Sequence, residues 1–150
     1  MIAMQQIGTL LRRPSFIALI LAIAVVFDYT MTLTHSGGQT SIMAFEYSPI
    51  LRWAVATGLL LPCIAALALG YYVMSCVALR SLEGTAYYLP GVLVVLLISL
   101  THVSGGLSWI VLNSAYSDAV LLLAAAGVIF SLSVFLLAVR RQRARSPTPA

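Results

Sequence analysis

Four long apolar runs, joined by short polar stretches, leave this chain almost no choice of environment. They extend from Pro14 to about Thr34, from Pro49 to about Leu79, from Ala86 to about Val103 and from Asp118 to Val139. A helix rising about 1.5 Å per residue needs about 20 residues to cross a hydrocarbon core of about 30 Å, and each run is of that order. A few unclosed β-strands would leave backbone N–H and C=O groups unpaired in lipid, so the runs read as helices. Hydrophobic residues make up 61% of the 150 and charged ones 8%, against about 25% charged in a soluble domain. The expected fold class is therefore an all-α integral membrane protein with four transmembrane helices.

Arg12, Arg13, Arg80, Arg140, Arg141, Arg143 and Arg145 fall on one side of such an arrangement, and only Arg52 falls on the other. The positive-inside bias then predicts cytoplasmic termini, N-in and C-in, for a multi-pass protein of the inner (cytoplasmic) membrane. The net charge of +4 belongs to these juxtamembrane arginines, which suit topology and contact with the lipid bilayer rather than nucleic acid. Cys63 and Cys76 lie on one helix about 20 Å apart, beyond disulfide reach, and read as packing residues. Asp28 follows the first run and no small-x-small cleavage pattern appears, so that run is expected to stay as a span.

Residues 1–13 carry Ile2, Ile7, Leu10 and Leu11 ahead of the arginines and form an inner-surface segment. Residues 14–139 form the transmembrane domain. Residues 140–150 form a basic tail whose Ser146-Pro147-Thr148-Pro149 end predicts disorder. Pro14 suits a first helical turn, and Ser48-Pro49 supplies an N-cap serine followed by proline at the first helical position. The second run is longer than a bilayer demands, with Pro62 as its expected kink, while Gly58, Gly70, Ala65, Ala66 and Ala68 suggest a close-packing face. Pro90-Gly91 is expected to bend the third span.

The segment Leu33-Thr34-His35-Ser36-Gly37-Gly38 recurs, with one valine inserted, as Leu100-Thr101-His102-Val103-Ser104-Gly105-Gly106. Tyr47-Ser48 and Gly58 are matched in the same order by Tyr116-Ser117 and Gly127. This pattern predicts two similar hairpins in tandem, about 14–79 and 86–139, inserted in the same sense. Both histidines would then stand at one depth, and each glycine pair would end a helix.

Asp28 is the most demanding residue, because an aspartate within a span costs about 2.5 kcal/mol or more and usually faces a partner. Helical spacing puts Thr32 and His35 on its face, with Tyr29 and Thr30 projecting elsewhere. Glu46, Arg52, His102, Asn113 and Asp118 gather at the same end of the spans. On the bland reading, Glu46 and Arg52 pair at the head-group level, Asp118 caps the fourth span and the histidines sit wet at the interface. On the sharp reading, Asp28, His35, Glu46 and His102 converge on a cation or substrate. Imidazole with carboxylate suits a transition metal, yet no His-Glu-x-x-His, Glu-x-x-His or Cys-x-x-Cys spacing occurs. Two histidines at equal depth would also suit a b-type haem. Ser104, Ser108 and Ser114 near His102 resemble no nucleophile elbow, which leans against an enzyme.

Asp28, Thr32, the glycines 37 and 38, and Glu46-Tyr47-Ser48-Pro49 resemble the signature of a family of small prokaryotic multi-pass membrane proteins of unknown function. In that family an Asp and a Thr about a turn apart are followed, after glycine, by Glu-x-Asn-Pro opening the next helix. The likeness covers residues 25–58, with Ser48 in place of the asparagine. It implies a membrane fold and groups Asp28 with Glu46, without implying an activity.

The expected function is therefore an outward-facing polar pocket for a cation or small polar solute. Asp28, Thr32, His35 and His102 would build the pocket, Glu46 and Arg52 its rim, with Asn113 beside it. A larger membrane complex or a homo-oligomer is the expected setting. The competing expectations are a non-enzymatic scaffold and a haem-binding electron-transfer protein.

Overall fold

The computed structural model describes residues 13–46 and 48–145, with the backbone alone for 142–145. The expected inner-surface segment, up to residue 12, and the tail from Ser146 onward lie outside the described residues. Among those residues the chain is all-helical: α1 (Pro14–His35), α2 (Gln39–Phe45), α3 (Pro49–Thr57), α4 (Leu60–Leu82), α5 (Tyr88–Val111) and α6 (Ser114–Arg145). Helices α1, α4 and α5, and α6 as far as Arg141, are long and apolar enough to cross a membrane. This is a multi-pass helical bundle.

Helix α1 is its centre, packed against α4 on one side and α5 on the other, while α6 lies against α5. The reason is a stripe at four-residue spacing, Ile17, Leu21, Val25 and Tyr29, which meets Leu79 of α4 and Val92 and Val95 of α5. Helix α6 is apolar on every side and leaves Leu122, Ile129 and Phe135 exposed, as a helix with lipid around it must. Serine and threonine hydroxyls within the spans turn back to their own helix. Thr32, Ser99 and Ser131 each donate to a carbonyl four residues earlier, which removes a donor from hydrocarbon at no cost in packing.

The second apolar run is not one span. It breaks at Gly58, which adopts φ 73°, and there the N–H of Gly58 donates to the Val55 carbonyl and that of Leu59 to the Ala54 carbonyl. These two bonds are the Schellman pattern that ends a helix. Pro62, expected to kink the span, instead falls in the first turn of α4, where its missing N–H has no partner to lose. Helix α3 starts as its Ser-Pro pair predicts, with Ser48 Oγ accepting the Leu51 N–H. It buries Leu51 and Ala54 and exposes Ile50, Arg52 and Trp53, so it caps the bundle rather than crossing it. A Cβ at Gly58 meets nothing within 4 Å, so its replacement carries only the cost of the left-handed backbone. Gly58→Ala is expected to lose about 1–2 kcal/mol in unfolding titrations in detergent, and Gly58→Asn less.

The third span also differs from expectation. Helix α5 passes straight through Gly105 and Gly106 and ends eight residues beyond Val103, at Val111, with Leu112 left-handed. Gly37 and Gly38, by contrast, take φ 76° and 120° and do end α1. Pro90 sits in the first turn of α5 rather than at a bend. Asn113, not Asp118, caps the last helix: its Oδ1 accepts the Tyr116 N–H at 3.3 Å. Helix α6 then runs on through the basic segment to Arg145, past the expected end of the span at Val139.

Candidate functional site

Helices α1 and α5 run parallel, since Asp28 meets His102 and Met31 meets Gly106 at almost the same sequence separation. Their crossing point is made by glycine. A Cβ at Gly106 would lie 2.9 Å from the Asp28 Cα, and one at Gly105 would lie 3.3 Å from Asp28 Oδ1. Small residues at this turn of α5 let the backbone of α1 come close, and closeness places the Asp28 carboxyl beside the next polar group one turn back. That group is His102, whose Nδ1 lies 2.8 Å from Asp28 Oδ2. The side chains are 16% and 17% exposed, which makes the pair largely enclosed yet open at one edge.

Aromatic rings complete the enclosure. The Tyr71 ring of α4 meets the His102 imidazole edge to face at 5.3 Å and 77°, and the Tyr29 ring of α1 does so at 6.4 Å and 64°. The tyrosine phenol of α1 in turn lies within electrostatic reach of Asp28, Tyr71, Glu46 and Ser48. Glu46 Oε1 accepts the Ser48 N–H at 2.8 Å, which holds the carboxylate at the entrance to α3. A polar layer thus runs from Glu46 and Ser48, through the two tyrosines, to the Asp28–His102 pair. Toward the arginine end, past the buried hydroxyls of Ser75 and Ser99, Ile17, Leu21, Val25, Leu79, Val92 and Val95 form a buried apolar layer.

The remaining expected residues stand elsewhere. His35 is exposed at the end of α1 and bonds Thr34 Oγ1 and the Met31 carbonyl on its own helix. It lies about 10 Å along α1 from Asp28, at 1.5 Å for each of seven residues. The two histidines are therefore not at one depth, because the second glycine pair packs within a helix instead of ending one. Thr32 is buried, but its hydroxyl goes to the Asp28 carbonyl rather than its carboxyl. Arg52 is exposed on α3, and Asn113 is spent on its cap. Among the described residues, no three His, Cys, Asp or Glu side chains gather as a metal site would require. The expected set of Asp28, His35, Glu46 and His102 is not assembled around one point.

Tyr29 and Tyr71 are the site residues that sequence reasoning passed over. Tyr29 was expected to project away, yet it is buried at the junction of α1, α4 and α5 because both neighbours wrap around the central helix. Tyr71 carries no motif, though its spacing from Leu60, Ile64, Leu67 and Ala68 marks it on the inner face of α4. The α6 phenol Tyr116 reaches the Ser104 carbonyl at 3.1 Å and ties α6 to α5 beside the site. Comparison with models of known protein families, with curated proteins and with solved structures gives no match.

Proposed function

We propose that the protein is a membrane-embedded binding module for a cation or small polar solute, with Asp28 and His102 as the groups that take and release the charge. The observation that carries this reading is the 2.8 Å Asp28–His102 contact between neighbouring transmembrane helices. A carboxyl at that depth costs several kcal/mol unless it has a partner or a use, and intramembrane ionisable pairs mark ion and proton sites more often than they mark simple glue. The buried apolar layer beneath the pair favours binding over passage through this chain alone. A partner membrane protein or further copies would supply any continuation. Taking the arginines as cytoplasmic, the site opens away from the cytoplasm, the termini lie inside, and the parallel α1 and α5 begin two hairpins inserted in the same sense.

The competing scaffold reading rests on the same crossing, since Asp28 wedged against Gly105 and Gly106 also fixes helix register. A single haem iron between the two histidines is disfavoured by their different levels. The discriminating measurement is the apparent Tm of the detergent-solubilised protein against pH and against Na+, K+ and Mn2+ at constant ionic strength. A ligand at about 100 times its Kd stabilises by about 2.7 kcal/mol, so a bound cation raises Tm. Asp28→Asn, nearly isosteric, is expected to abolish that response while Glu46→Gln weakens it. A response identical in Asp28→Asn, or none in any protein, leaves the scaffold reading.

A further inference from the structure

At the opposite end of the bundle the loop between α4 and α5 encloses a cavity of about 130 Å³ against the end of α6. Leu82 at the end of α4 and Gly84, Thr85 and Tyr87 of the loop line it, with Ala138 and Arg141 from α6. The Arg141 guanidinium carbon lies 5.5 Å from the centre of the Tyr87 ring. An arginine held over an aromatic face keeps its N–H donors at the edge of the guanidinium plane, arranged to take two oxygens of one phosphate. Holding the side chain there in advance also lowers the ordering cost of binding.

Arg141 is the charged side chain of the lining, and Glu83, the exposed carboxylate of the loop, lies between Leu82 and Gly84 without lining the cavity itself. Arg140 stands exposed on the neighbouring position of α6 and does not line it either. The lining also carries the apolar side chains of Leu82 and Ala138, and Leu137, one turn back from Arg141 on the outward face of α6, is more than half exposed. A free oxyanion would have no use for that face. A ligand whose phosphate leads into acyl chains would cover it.

From this geometry we infer that the cavity between the α4–α5 loop and Arg141 is a head-group site for an anionic phospholipid. The Arg141 guanidinium clamps the phosphate over Tyr87, and the acyl chains lie along the adjoining apolar surfaces of the helices. The site is separate from the Asp28–His102 pair and does not depend on the function proposed for it.

The test is native mass spectrometry of the full chain, delipidated and then offered equimolar phosphatidylglycerol and phosphatidylcholine. The wild type is expected to retain phosphatidylglycerol in preference. A basic side chain near an anionic lipid surface contributes about 1 kcal/mol, so Arg141→Gln should lower retention about fivefold. Arg141→Lys, which keeps the charge and loses the fork, should recover only part of it, and Tyr87→Leu should fall with Arg141→Gln at unchanged Tm. Arg140→Gln, with the same change of charge one residue away, should retain lipid as the wild type does. Equal losses in Arg140→Gln and Arg141→Gln, equal binding of phosphatidylcholine, or displacement of the lipid by millimolar inorganic phosphate would each overturn the assignment.

Discussion

Gly106→Ala is expected to force α1 and α5 apart and to cost the bundle stability. Its Cβ would stand 2.9 Å from the Asp28 Cα and 3.2 Å from the Met31 Cβ. Backbone cannot rotate out of the way as a side-chain tip can, so α1 must back off from α5 along the whole crossing. Overpacking of this kind costs about 1–3 kcal/mol, and here it also lengthens the Asp28–His102 bond. Gly105→Ala meets the Asp28 carboxyl group, with Oδ1 at 3.3 Å and Oδ2 at 3.5 Å, and a shift of a few tenths of an ångström in that one side chain accommodates it at some cost to its bond with His102. Unfolding in detergent should rank wild type above Gly105→Ala and Gly105→Ala above Gly106→Ala. Equal stability of Gly106→Ala and wild type would show that the helices do not cross where the glycines put them.

The second large effect is expected at the pair itself. Asp28→Ala and His102→Ala should each cost about 1.5–3 kcal/mol, the range for hydrogen bonds involving charged groups. The double variant should cost less than the two together, because it leaves no orphaned polar group among the helices. A coupling of about 1–2 kcal/mol is expected, above the average of about 0.6 for interhelical hydrogen bonds in membranes, since a stranded carboxyl is worse than a stranded hydroxyl. His35→Ala serves as the control and should change neither stability nor the coupling, as its bonds stay on its own last turn. Additive losses at Asp28 and His102 would mean that the contact carries no energy. The cycle also bears on function, because a strongly coupled pair is one whose charge a bound cation can shift.

The two histidines show why similar sequences acquire different roles. Each sits before a Ser-Gly-Gly or Val-Ser-Gly-Gly segment, and local propensity treats the two segments alike. Gly37 and Gly38 reach the end of the helix with no neighbouring helix packed against them, a Cβ meeting Ser41 Oγ at 3.9 Å at the first and nothing within 4 Å at the second, so their freedom at positive φ is used to turn the chain. Gly105 and Gly106 face α1, and there the absence of a Cβ is worth more as room for a neighbouring backbone than as conformational freedom. The same pair of residues therefore ends α1 in one copy and joins α5 to α1 in the other.

The apolar runs, the arginines at their ends and the Ser48-Pro49 start were legible from the chain alone, because the demand for internally paired backbone in lipid is imposed residue by residue. So was the isolation of Asp28, which hydrocarbon penalises wherever the helix happens to pack. Which polar group answers it depended on which helix lies beside α1 and in what register, and sequence spacing within one helix carries no information about that. His102 rather than His35 became the partner, and Tyr29 and Tyr71 its enclosure, because the Ile17–Leu21–Val25–Tyr29 stripe is covered by α4 and α5 together. Environment was set by composition; the site was set by a close helix crossing, a long-range packing outcome that only the tertiary structure decided.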